Sequence, residues 1–377
     1  MNRLPVSRGL YPLLALAWLL GGGVSAAPAQ EPEPSPEEEA KQEEKDFELG
    51  GFVDLYYAYN ANRPFNRENF VPGAGIAAKR SDEVQLNLVA LEIKRDPRPV
   101  GFHVIAGIGD ELEILHLGEP EGEGVGRDTF ENLYRASVSY AVSDRLLIEA
   151  GVYPSHIGFE SGLTRDNWNY TGSWAANFSP YYQAGVKAVY TFVDGWSAGL
   201  HVVNGWQIIG DNNDGKSLGA HLGWSSDRGF LTLNAWVGPE LPDDDSSLRT
   251  LWDLVGSVNV SDDLALGFEA DLGRQELPGS DAAEWTALAG YLRYRLAPAW
   301  AVAVRAEQVD DPDGGISGLP QTIEEGTLTF EHRPHERVIL KLEGRYDRST
   351  EPIFASEEEG PAEKDQLLFV LGSIFTF

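Results

Sequence analysis

Seven histidines, at positions 103, 116, 156, 201, 221, 332 and 335, are the residues of this chain best suited to proton or metal chemistry near neutral pH. None belongs to an HExxH, and no GxSxG, P-loop or GxGxxG accompanies them. There is no Cys, which excludes a thiolate nucleophile, a thiolate metal site and a disulfide framework. A hydrolase would need a Ser/His pair on one face, and no local motif selects one. The expectation is no enzyme, no cofactor and no metal set. His201 and His221 are the one pair with a reason to meet. Both are equally distant from Asp211. If the hairpin 196–225 is centred there, the two lie opposite each other with Cβ atoms about 4.5–5.5 Å apart. Such a pair would respond to mildly acidic pH or hold a metal weakly; the plainer reading is lumen polarity.

The remaining chemistry is charge, and it falls on one parity. Glu48, Asp54, Arg135, Glu149, Lys187, Asp253, Glu269, Asp271, Arg293, Arg305, Glu307, Lys341, Glu343 and Arg345 share a face in segments whose other face is apolar. In 47–60, Phe47, Leu49, Val53, Leu55, Tyr57 and Tyr59 alternate with Glu48, Asp54, Ala58 and Asn60. Period two with lipid-compatible residues on one side and water-compatible residues on the other is the pattern of a transmembrane β-strand. The same pattern recurs near 47–60, 83–95, 100–109, 129–142, 145–153, 181–192, 196–205, 217–225, 229–237, 248–260, 264–273, 284–296, 300–309, 323–332, 337–347 and 366–377. This predicts an all-β, antiparallel, up-and-down transmembrane barrel of about sixteen strands.

Connection lengths give the topology. Short turns alternate with long segments at 61–82, 110–128, 154–180, 206–216, 238–247, 274–283, 310–322 and 348–365. Outer-membrane barrels have short periplasmic turns and long extracellular loops, and a β-sandwich has no reason to alternate so strictly. Tyr140, Phe192, Trp196, Trp224, Tyr294 and Trp300 flank the short turns with outward parity, while Tyr57, Tyr59 and Tyr346 approach the long loops, as girdles require. The chain closes on Phe369, Leu371, Phe375 and Phe377, an amphipathic last strand ending in Phe that reads as an assembly signal for the outer-membrane insertion machinery.

At the other end, Arg3 and Arg8 precede the apolar run Leu10–Leu20 and the small residues Val24-Ser25-Ala26, a secretory signal over residues 1–26. Residues 27–46 are rich in Pro and Glu and almost devoid of apolar side chains, which predicts a disordered acidic periplasmic linker before a barrel over 47–377. The net charge of -30 argues against nucleic acid, whose binding draws on clustered Lys and Arg. Lipid, lipopolysaccharide, the assembly machinery and small solutes or ions are the partners this topology needs, with a homotrimer left open.

The block Leu133-Tyr134-Arg135-Ala136-Ser137-Val138-Ser139-Tyr140 is followed by Gly151-Val152-Tyr153-Pro154 and Ile157-Gly158-Phe159-Glu160. Further on come Asn204-Gly205-Trp206 and Asp211-Asn212-Asn213. On these residues the chain resembles the beta-barrel porins of the OmpL-like type, from Phe47 to Phe377. The resemblance implies a porin-like outer-membrane channel without catalytic residues.

Several expectations follow. Sixteen strands leave an aqueous channel, so the mixed inward charges should line a water-filled lumen for passive diffusion of small hydrophilic solutes or ions. A plugged structural or surface-binding barrel is the alternative. The longest loop, 154–180, carries Trp168, Tyr170, Trp174 and Phe178 and is expected to fold inward and narrow the lumen. Arg305, Lys341 and Arg345 should then face Glu160 and Asp166, with Arg165 alongside, in a transverse field at the constriction. Because loops such as 110–128 and 348–365 are acidic, a mild cation preference should arise at the mouth.

Overall fold

The computed structural model describes residues 47–71, 73–121, 126–360 and 362–377; the expected signal segment and linker lie outside the described residues. Sixteen strands close into one antiparallel barrel. In chain order they are β1 (Glu48–Asn60), β2 (Val84–Arg95), β3 (Val100–Ile108), β4 (Leu133–Ser143), β5 (Leu146–Pro154), β6 (Tyr182–Val193), β7 (Trp196–Val203), β8 (Ser217–Ser226), β9 (Gly229–Leu241), β10 (Asp244–Asn259), β11 (Leu264–Gln275), β12 (Ala283–Ala297), β13 (Trp300–Asp311), β14 (Gln321–His335), β15 (Val338–Ser349) and β16 (Asp365–Thr376). Each pairs with its neighbours in sequence, and β1 closes the sheet on β16 with Phe52 opposite Thr376 and Asn60 opposite Leu368. Closure leaves no unpaired sheet edge, which a spanning structure in lipid requires.

The alternation that predicts the strands is realised as burial. In β1, Phe52, Asp54, Tyr56, Ala58 and Asn60 point into the barrel and are buried, while Leu49, Tyr57 and Tyr59 lie exposed on the outside. Outward Leu91, Val138, Leu200, Trp252, Leu272 and Leu288 make the apolar belt. All nine girdle aromatics are exposed on the outer surface, and Trp196 sits directly across from Trp224. At the seam the Phe377 amide donates to the Gly51 carbonyl (3.0 Å), and the Phe377 carbonyl oxygen accepts from the Gly51 amide (3.2 Å). A Cβ at Gly51 would lie 2.6 Å from the Phe377 ring, so glycine is what lets the terminal aromatic dock there.

Two connections differ from expectation. The fifth, expected over 238–247, is not a long loop: β9 and β10 continue until Asp244 pairs with Leu241 across Pro242-Asp243. Proline presets the first turn position and Asp243 accepts a φ of 58°, so two residues suffice. The fourth strand starts at Leu133 rather than 129, because a short helix, Arg127–Phe130, precedes it. The second loop, read as an acidic external segment, folds a helix over Asp110–Leu115 whose Leu112, Ile114 and Leu115 join the interior cluster with Ile105, Tyr134 and Leu163.

Candidate functional site

The third long loop spans residues 155–181, between β5 and β6, and lies inside the barrel. Its aromatic load explains the placement, since Tyr170 and Trp174 are fully buried and Trp168 nearly so. Exposing that much apolar area to water would be costly. Phe159 stacks obliquely on Tyr291 of β12, with ring centroids 4.5 Å apart. A one-turn helix, Trp174–Asn177, is capped by Ser173, whose Oγ accepts from the Ala176 amide at 3.0 Å.

An irregular backbone inside a barrel needs hydrogen-bond partners for its amides and carbonyls. The wall supplies them by charge. Carboxylates accept from the loop's amides: Glu343 from Tyr170 (2.6 Å) and Thr171 (3.0 Å), and Glu307 from Trp174 (2.6 Å) and Ala175 (3.0 Å). Cations donate to its carbonyls. Lys341 Nζ reaches Thr164, Asn167 and Asn169 at 3.0, 2.7 and 3.1 Å. Arg345 reaches Gly172 and Arg305 reaches Thr171, both at 2.6 Å. The indole of Trp174 donates to Asp347 at 2.7 Å.

The proposed transverse pairs therefore need correction. Arg305 does meet Glu160, at 2.7 Å, and also Glu325, at 3.0 Å. Lys341 faces carbonyls rather than Asp166, and Arg345 pairs with Asp347 on its own strand. Asp166 lies beside Arg165 (3.7 Å), which also pairs with Glu92 of β2 at 2.7 Å and lies over the Phe52 ring. Parity shows correctly that these side chains point inward; it does not distinguish water from loop backbone as the partner. Sequence reasoning also left Glu307 and Glu343 undistinguished from other lumen charges, although both share a strand and a face with a site residue. Nearer the short turns, Arg293 and Arg333 pair with Glu331 at 2.8 and 2.9 Å while retaining 22% and 40% side-chain exposure. The side chains of Arg305 and Arg345, by contrast, have none.

The histidine pair also needs correction. His201 lies opposite Gly219 and His221 opposite Gly199, so the register is offset by two from a hairpin centred on Asp211. The rings still meet on the diagonal, Nε2 to Nδ1 at 3.2 Å. A third imidazole enters from the loop: His156 stacks on His201 with centroids 4.1 Å apart, over Gly219. Glycine makes both contacts possible, because a Cβ at 199 or 219 would fall 2.1 or 2.4 Å from a histidine ring. Burial holds the His156 imidazole down to about 4, so the loop ring is neutral at pH 7. In the second loop burial pushes the Glu111 carboxyl well up; it accepts from Asn87 at 2.8 Å.

The family described as Putative beta-barrel porin-2, OmpL-like, matches residues 46–377. No curated protein matches the sequence. Among solved structures, the anion-selective porin from Comamonas acidovorans is similar at 13% identity with a TM-score of 0.59, over 88% of this chain and 99% of that one. The high-pH structure of Pseudomonas putida OprB is similar at 12% identity and 0.60, over 90% and 96%. The trimer form of OmpT from Vibrio cholerae is similar at 10% identity and 0.57, over 88% and 99%. At these identities the likeness is one of fold.

Proposed function

The chain belongs to the OmpL-like beta-barrel porin family, an outer-membrane porin barrel, and from that premise we propose that it passes small hydrophilic solutes and ions by diffusion, with residues 155–181 as its constriction. The observation that carries this reading is the clamp of wall carboxylates on loop amides and wall cations on loop carbonyls, which holds the loop across the bore. Glu160, Arg165, Asp166, Arg305, Lys341 and Arg345 then set the narrowing by fixing the loop. Selectivity comes from elsewhere. The chain's charge of -30 and the run Glu357-Glu358-Glu359 in the last loop support a mild cation preference at the mouth.

Conductance in planar bilayers tests this. The wild type gives discrete steps, and removing part of 160–176 raises their size; an unchanged conductance counts against the constriction. A plugged barrel is the second reading, favoured by the complete burial of Arg305, Lys341 and Arg345. It is distinguished by steps that appear only after the deletion. Export by the N-terminal signal, recognition of Phe369, Leu371, Phe375 and Phe377 by the insertion machinery, and assembly as a trimer complete the proposal.

A further inference from the structure

We propose that the lumen wall beneath the start of the third loop binds a calcium ion on Asp253, Glu269 and Asp271. Asp253 of β10 is paired directly across from Asp271 of β11, and Glu269 lies two residues along on the same inward face. Like charges directly opposed on antiparallel strands destabilise a sheet unless something neutralises them. The three residues are 1%, 0% and 3% exposed, so water does not screen them.

Several other buried carboxylates on this wall have a cation partner, while Glu307 and Glu343 are held by two loop amides each. Glu149 has Arg135 and Lys187, Glu331 has Arg293 and Arg333, Glu325 has Arg305, and Asp347 has Arg345. Among the described residues, no Lys or Arg forms an ion pair with Asp253, Glu269 or Asp271.

A second observation concerns individual oxygens. Asp253 Oδ2 accepts from the Gly158 amide and from Asn234 Nδ2, each at 2.8 Å, and Glu269 Oε2 accepts from the Phe159 amide at 3.2 Å. Asp253 Oδ1, Glu269 Oε1 and Asp271 Oδ1 are buried without a hydrogen-bond partner. One oxygen from each residue falls in a group whose members all lie within 4.8 Å of one another. The loop amides thus hold one oxygen each of Asp253 and Glu269 and leave the other without a donor.

Three carboxylate oxygens with no nitrogen or sulfur donor select a hard cation. Calcium takes oxygens at roughly 2.3–2.6 Å in a flexible shell, so ligands on opposite sides lie about 4.6–5.2 Å apart, whereas magnesium demands a smaller, near-ideal octahedron. A group bounded at 4.8 Å admits either size, and calcium is assigned because its shell tolerates three carboxylates whose positions the sheet fixes. Since the same carboxylates hold the Gly158 and Phe159 amides, a bound ion also fixes the first turn of the loop.

The site is read by binding, independently of conductance. The full-length barrel in detergent, stripped with chelator, is dialysed against micromolar calcium at high salt, which suppresses the exposed acidic loops, and the retained calcium is counted. The expected result is one ion per chain in the wild type and none in Asp253→Asn/Asp271→Asn. On the wild type alone, terbium luminescence excited through nearby aromatic residues should appear and be displaced by calcium. A wild type that retains no calcium and gives no terbium signal overturns the proposal. So does a double variant that retains as much calcium as the wild type, which would place the ion on the outer loops. Magnesium displacing terbium as readily as calcium overturns the assignment to calcium.

Discussion

Replacing Lys341 by methionine should release the middle of the third loop from the wall. The ammonium is buried and donates to three backbone carbonyls, at 2.7–3.1 Å. Methionine keeps the length of the stem, so little cavity forms and the loss is chiefly of those bonds. A hydrogen bond to a charged group contributes about 1.5–3 kcal/mol, and each carbonyl left dry costs about 1–3 kcal/mol. The desolvation cost of the lysine itself, no longer incurred, offsets part of the loss. A net of about 2–4 kcal/mol remains, which raises the population of the released loop roughly 30-fold to 1000-fold at about 1.4 kcal/mol per tenfold. The barrel wall does not depend on this residue, so heat-modified gel mobility should stay that of a folded barrel. Single-channel recording should show larger conductance and noisier open states than the wild type. Equal conductance with equal noise would refute the view that Lys341 holds the loop.

The glycines under the histidine rings give a second expectation: Gly199→Ala places a Cβ 2.1 Å from His221, overpacks the wall by about 1–3 kcal/mol and should lower the thermal midpoint. An unaltered midpoint would mean that the ring moves freely. For His156 the folded value of about 4 lies below the ordinary 6.5, so the released loop binds more protons between them. The stability this ring contributes is complete above pH 6.5 and falls as pH drops towards 4, by at most about 3 kcal/mol. His156→Gln should flatten that part of the melting profile, and identical profiles would remove the ring from consideration. Cation preference from the acidic mouth should be largest in dilute salt and nearly vanish at 1 M, where the Debye length is about 3 Å. A reversal potential independent of ionic strength would assign selectivity to the lumen instead.

The strands were legible because each face of the sheet meets one solvent, lipid or interior, and period two records that directly. Phe47 to Asn60 already displayed the division that burial shows. The connections were less legible. Prolines 239 and 242 and the aspartates after them look like a loop, yet tolerate the tight turn that ends β9. What filled the bore was only half legible. The aromatic residues of 154–180 announced a loop that avoids water, but Lys341 and Arg345 carry the same parity as the more exposed Arg293. Only the three-dimensional course of the loop tells them apart. The same limit applied to His156, which no spacing along a strand could bring beside His201.

The clamp on the third loop sets an order of events during assembly. Hairpins along the chain form from neighbours, but Lys341 and the Thr164 carbonyl are 177 residues apart, and Glu343 and Thr171 are 172 apart. The N-terminal half of the barrel can tether loop side chains, Thr164 and Tyr170 to Asp54 and Arg165 to Glu92, but it lacks the groups that hold the loop's backbone. Its amides and carbonyls must stay solvated until β13 to β15 arrive, and non-local contacts of this kind form late. The bore of the nascent barrel is consequently at its widest while the sheet is still being completed, and it narrows only as the last strands bring up the residues that hold the loop.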